Sequence, residues 1–215
     1  MLLLVVAIGA SAGIGLGLLA TGDDTRSASE LSPAQGPFRG NRLPQGLAGR
    51  RGLAFALGEA DGGRVRTSDL AGKPYLVTFL FTECPDVCPL IAEEIRDALR
   101  RLGREAGEVA VLAVSVDPAG DTPEAVRVFQ RRHRLPPNFH YLIGKEAELK
   151  PVWDAYFAAP QIPGRAESSH TASVWLVDAR GRIRTKYSGG APVDPADLAH
   201  DLRILLRERS PSSSG

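Results

Sequence analysis

The chain has 215 residues, 43% of them hydrophobic and 24% charged, the make-up of an ordinary globular protein long enough to bury one main core. Its 26 basic and 25 acidic residues nearly cancel, to a formal net charge of +1, which argues against a nucleic-acid surface and against a polybasic membrane patch. The first twenty residues, MLLLVVAIGASAGIGLGLLA, carry no charged side chain. As a helix rising about 1.5 Å per residue they would cover about 30 Å, the hydrocarbon core of a bilayer. Residues 1–20 are therefore expected to be a single N-terminal transmembrane helix that anchors the chain. The rival is a cleaved signal sequence, which ordinarily has a basic start and a shorter apolar stretch. Residues 21–52 are rich in Gly, Pro, Ser and Ala with no sustained apolar period and read as a flexible linker.

The folded part is expected over 53–209. A short apolar piece at Phe55–Leu57, a turn at Asp61-Gly62-Gly63 and Val65 beyond it predict a β-hairpin at its start. YLVTFLF (75–81) is a continuous β-branched and aromatic run, the pattern of a strand covered on both faces. Leu90, Ile91, Ile95, Ala98, Leu99 and Leu102 then recur at helical spacing, and Gly103 ends the pattern. VAVLAVSV (109–116) predicts a second buried strand. DTPEAVRVFQRRHR (121–134) opens a helix with Thr122 as cap, Pro123 at the first position and Glu124 in the first turn. A strand near Phe139–Ile143, a helix from Glu146 to Phe157 and the irregular AAPQIPGRAESS follow. TASVWLVD (171–178) and RIRTKYSG (182–189) flank an Ala179-Arg180-Gly181 turn as antiparallel strands, and a helix from Pro195 to Arg209 closes the domain. Alternating strands and helices followed by a hairpin and helix predict an α/β fold, a mixed central sheet flanked by helices. Residues 210–215, SPSSSG ending at Gly215 after Arg209, read as a disordered tail.

Both cysteines lie in TECPDVCPL (82–90), between the first buried strand and the first long helix. The prolines at 85 and 89 disfavour the helical conformation for Cys84 and Cys88, so the helix is expected to start at Pro89 with Cys88 as its cap. Both sulfurs would then sit at a helix N-terminus, where unpaired amides and the positive dipole end favour a thiolate. Three intervening residues permit a shared metal or a disulfide, and the spacing is one residue longer than the C-x-x-C of thiol oxidoreductases. Asp86 is read as a turn cap. Asp117 and Asp121 in DPAGDTP are read as structural at the strand exit, and Phe79, Phe81, Trp153 and Trp175 as core. His133, His140 and His200 show no pattern that marks a ligand.

FLFTECPDVCP, preceded by a hairpin and followed by SVDPAGDTP, resembles the Sco (SenC) family of membrane-anchored copper proteins over most of residues 53–207. The resemblance implies a thioredoxin-like copper-binding domain over 53–209 and a role in maturing the binuclear copper centre of cytochrome c oxidase. It implies copper ligation by Cys84, Cys88 and His170, the histidine of SSHTASVWLVD just before the late strand. Two soft thiolates select Cu(I) but also bind Zn, so softness alone does not settle the metal, and an added imidazole lets the same site hold Cu(II). The implied partners are the copper-binding subunit of the oxidase and a periplasmic or extracellular copper chaperone as donor. The domain is expected on the outer face of the cell membrane, held through residues 1–20, with no nucleic-acid partner. The alternative is a thiol-disulfide reductase using Cys84 and Cys88, which needs no His170. The chain departs from the family at Ala119-Gly120, where charged residues are common, and at Ser169, where an aspartate often precedes the histidine.

Overall fold

Strands with no polar face can only be central, and this fixes the middle of the sheet. The computed structural model describes residues 36–161, 173–188 and 192–209. In it, β3 (Tyr75–Leu80) and β4 (Ala110–Ser115) are buried at every position and pair in parallel from Tyr75↔Ala110 to Leu80↔Ser115. The expected hairpin is present as β1 (Ala56–Glu59) and β2 (Arg64–Arg66), with the Gly63 amide donating to Asp61 Oδ1 at 2.9 Å across the turn. With β5 (Phe139–Ile143), β6 (Ser173–Val177) and β7 (Ile183–Ser188), the sheet has the order β2-β1-β5-β4-β3-β6-β7. Strand β6 runs antiparallel to β3, and β7 antiparallel to β6. A parallel βαβ unit joined to an antiparallel hairpin is the thioredoxin-like core.

Among the described residues four α-helices complete the fold: α1 (Val87–Leu102), α2 (Pro123–Arg132), α3 (Glu146–Tyr156) and α4 (Pro195–Arg209). Thr122 caps α2 as its sequence predicts, accepting from the Ala125 amide at 3.2 Å. The apolar stripe of α1 puts Ile91, Ile95, Ala98, Leu99 and Leu102 inside, and α1 packs on α4. Phe79, Phe81, Trp153 and Trp175 are all core residues, with both indole N–H groups satisfied, by Ser115 O and Ser173 Oγ.

Residues 36–52, placed in the flexible linker on composition, instead form a strap along β7 and α4. Phe38 and Leu43 are buried, and bridges join Asn41 to Lys186 and Arg51 to Arg182. Gly40 is required here, because a Cβ would come within 2.5 Å of Thr185 Oγ1 and 3.0 Å of Lys186 O. The strap covers the open edge of β7, which would otherwise present unpaired backbone groups. Among the described residues no helix is long and apolar enough to cross a membrane. The expected anchor at 1–20, the remainder of the linker at 21–35 and the tail at 210–215 lie outside the described residues.

Candidate metal and thiol site

Strand β3 delivers the chain to Cys84, and α1 starts three residues later. The helix begins at Val87, not at Pro89 as the prolines suggested. Proline is tolerated there because the first turn's amides have no intrahelical partner, so the missing Pro89 N–H leaves no bond unmade. Asp86 does not supply the cap; its side chain makes no capping bond. The Cys84 sulfur takes that place, accepting from the Cys88 amide at 3.4 Å and drawing the Asp86 and Val87 amides as well. A sulfur in front of three unpaired amides at a helix N-terminus is held as a thiolate.

The two cysteines, not joined by a disulfide, are thus unequal. Hydrogen bonding from the Cys88 thiol, aided by those amides and opposed by burial, lowers the Cys84 pKa to about 6. Cys88 has no exposed surface. Its pKa is pushed far up, first by the hydrogen bond to Cys84 and then by burial, with the negative charge of Asp121 adding to the effect. At neutral pH the pair is one thiolate and one thiol. Cys84 is 5% exposed and opens onto a cleft of about 480 Å³ between the cysteine turn and α2, walled by Pro85, Pro89, Val128, Phe129 and Arg132.

Behind the cysteines, Asp121 is buried and accepts from the Thr82 amide at 2.7 Å, the Ser115 hydroxyl at 2.6 Å and the Tyr141 hydroxyl at 3.1 Å. Desolvation raises its pKa despite those bonds. It therefore ties the exits of β3 and β4 to β5, the structural role read for it, and fixes Thr82, two residues before Cys84. Asp117 closes the same turn by accepting from the Gly120 amide at 3.0 Å. A Cβ at Gly120 would meet the Asp117 carboxylate at 2.3 Å, so any side chain there would require Asp117 to turn away. Tyr141 went unremarked in the sequence because an inward tyrosine in a strand looks like any other core residue.

His133, His140 and His200 each lie 2.9 Å from a carboxylate, of Glu93, Glu59 and Asp201 respectively. Among the described residues no group of three or more His, Cys, Asp or Glu side chains is placed to hold a metal. The donor chemistry still suits a soft ion: a thiolate and a thiol within hydrogen-bonding reach form a two-sulfur site with no third ligand among the described residues. His170, the expected third ligand, lies outside the described residues.

Fold and site together define a thioredoxin-like α/β protein with an asymmetric cysteine pair at the first strand-to-helix turn of its core. The SCO1/SenC family model matches residues 45–207, and the chain belongs to that family. It is 27% identical over 153 residues to the SCO1 protein homolog of Bacillus subtilis, covering 69% of this chain and 79% of that one. A solved structure of Bradyrhizobium japonicum ScoI with copper bound is 32% identical, covers 73% of this chain and 99% of its own, and superposes with a TM-score of 0.61. The structure of BsSco, described through a disulfide switch and as a member of the Sco family of cytochrome c oxidase assembly proteins, is 24% identical, with a TM-score of 0.65 over 76% of this chain and 98% of that one. At that identity it bears on the fold alone.

Proposed function

We propose that this protein is a membrane-anchored copper carrier that helps mature the binuclear copper centre of cytochrome c oxidase. The observation that carries this is the cysteine pair itself: a thiolate prepared at the helix end beside a buried thiol, in a family whose Bradyrhizobium japonicum member is described with copper bound. Copper is the cargo. Cys84 and Cys88 supply its soft ligands, which favour Cu(I), and His170 adds an imidazole that also accommodates Cu(II). Cys84, opening onto the cleft, is the sulfur an incoming partner reaches first, and Cys88 stays behind it in the core. The partners are a copper donor outside the cytoplasm and the copper-binding subunit of the oxidase. Residues 1–20 hold the domain on the outer face of the membrane.

The asymmetry of the thiols favours a second activity at the same site, reduction of that subunit's cysteines. The Cys84 thiolate attacks one sulfur of the partner's disulfide, forming a mixed disulfide and releasing the partner's other sulfur as a thiolate. Cys88 then gives up its proton and attacks the Cys84 sulfur, releasing the second partner thiolate. Two electrons pass to the partner and a Cys84–Cys88 disulfide remains.

Titrating the reduced full-length protein with copper tests the first activity, by metal analysis and absorbance. One copper per chain is expected, lost in Cys84→Ala and Cys88→Ala and weakened at least tenfold in His170→Ala. Stoichiometry indifferent to all three changes would overturn the carrier role. Disulfide reduction that survives His170→Ala but not either cysteine change would assign the reductase.

A further inference from the structure

The net charge of +1 conceals a local excess of arginine. At the end of the sheet opposite the cysteines, where β6 turns into β7 and α4 ends, a cavity of about 820 Å³ is lined by Arg180, Arg182, Arg184, Arg207 and Arg209 against only two carboxylates, Asp178 and Glu208. Arg184 engages both of those carboxylates, and Arg209 is paired with Glu108 at 2.6 Å. Arg180, Arg182 and Arg207 are exposed and form no ion pair with a carboxylate among the described residues, so their charge is uncompensated. Beside this cavity lies a second cleft of about 540 Å³ that shares Arg180 and Arg182 and adds Arg51 and Leu53. Leu53 is one of the few large apolar side chains left exposed, at 36%.

We infer that this basic pole seats on the membrane surface by binding the phosphate headgroups of anionic phospholipids. Guanidinium forks match phosphate oxygens in pairs. Two adjoining clefts spread the charge over a face, as a charged plane demands, and an apolar side chain at the rim suits the headgroup boundary. The inference rests on residues 1–20 being an anchor, which keeps the pole and the bilayer at high effective concentration; that tether favours lipid over an acidic protein as the occupant. Seated this way, the cysteine end of the sheet points away from the bilayer.

The full-length protein is placed in nanodiscs of phosphatidylcholine alone, or with about a quarter phosphatidylglycerol, and amide hydrogen exchange is followed over residues 178–184 and 203–209. Failure to co-elute with phosphatidylcholine discs would sink the anchor, separately from the pole. Exchange about threefold slower or more in the anionic discs is expected, abolished by R180Q/R182Q/R207Q and by about 0.5 M salt. The three side chains are exposed, and an unchanged melting curve would show that the variant folds. Equal exchange in the two discs would overturn the inference, leaving an acidic protein face as the alternative occupant. Equal slowing by inorganic phosphate in phosphatidylcholine discs would also overturn it, in favour of a site for free phosphate.

Discussion

Cys84 and Cys88 have the same side chain and nearly the same place in sequence, yet one is a stronger acid than an ordinary thiol and the other a far weaker one. Because Cys84 is already ionised above about pH 6 while Cys88 keeps its proton, copper binding at pH 7.5 should release about one proton per metal, not two. Calorimetry in buffers of different ionisation enthalpy measures that number. The rate of alkylation of the reduced protein should rise with pH through about 6 and then level, with Cys84 alone modified. Asp121 is the other decisive residue. Asp121→Ala leaves the Thr82 amide and the Ser115 and Tyr141 hydroxyls without their acceptor; at ~1–3 kcal/mol for each buried group left unsatisfied, a loss of at least about 3 kcal/mol is expected in urea unfolding. Since burial raises the carboxyl's pKa, the folded state binds that proton more tightly than the unfolded chain. The stabilisation from that proton is present below the unfolded value and fades as pH rises, so the gap between wild type and variant should widen from pH 7 toward pH 4.

Among the elements, those with local signals were legible. The two covered strands, the hairpin turn, the Thr122-Pro123 helix start and the α4 span all stand where the pattern of residues put them. The strap at 36–52 did not show, because its partners are about 130–160 residues away in sequence. Asp201 on α4, fully buried, accepts from the Arg39 amide at 2.9 and 3.0 Å, from the Gly40 amide at 2.9 Å and from the Tyr187 hydroxyl at 2.7 Å. Asp201→Ala should free the strap, costing about 2–4 kcal/mol and exposing residues 36–41 to limited proteolysis. Gly40→Ala should do the same by pushing its methyl group into Thr185 and the Lys186 carbonyl. Intact protease resistance in both variants would show that the buried Phe38 and Leu43 and the bridges to β7 hold the strap without Asp201.

Across the whole molecule, the cysteine turn and the arginine cavity occupy opposite ends of one sheet. Strand β3 alone separates them by six residues, roughly 20 Å at 3.3 Å per residue, more than two Debye lengths at physiological salt. Changing Arg180, Arg182 and Arg207 to glutamine should therefore leave the pH profile of Cys84 alkylation unshifted, whatever it does at the membrane. A shift of half a unit or more would mean that the two ends are electrostatically coupled.

The sequence by itself determined the mixed α/β architecture, the strand–cysteine–helix order and the family, because a covered strand must be apolar on both faces and a helix start needs its own residues. Tertiary structure decided what depends on partners distant in the chain. It made the Cys84 sulfur the helix cap where Cys88 was expected, gave Asp121 and Asp201 their buried donors, turned a glycine- and proline-rich stretch into a sheet-edge strap, and gathered arginines from 51, 180–184 and 207–209 into one face. Composition averages charge over the whole chain, and only folding sorts it in space.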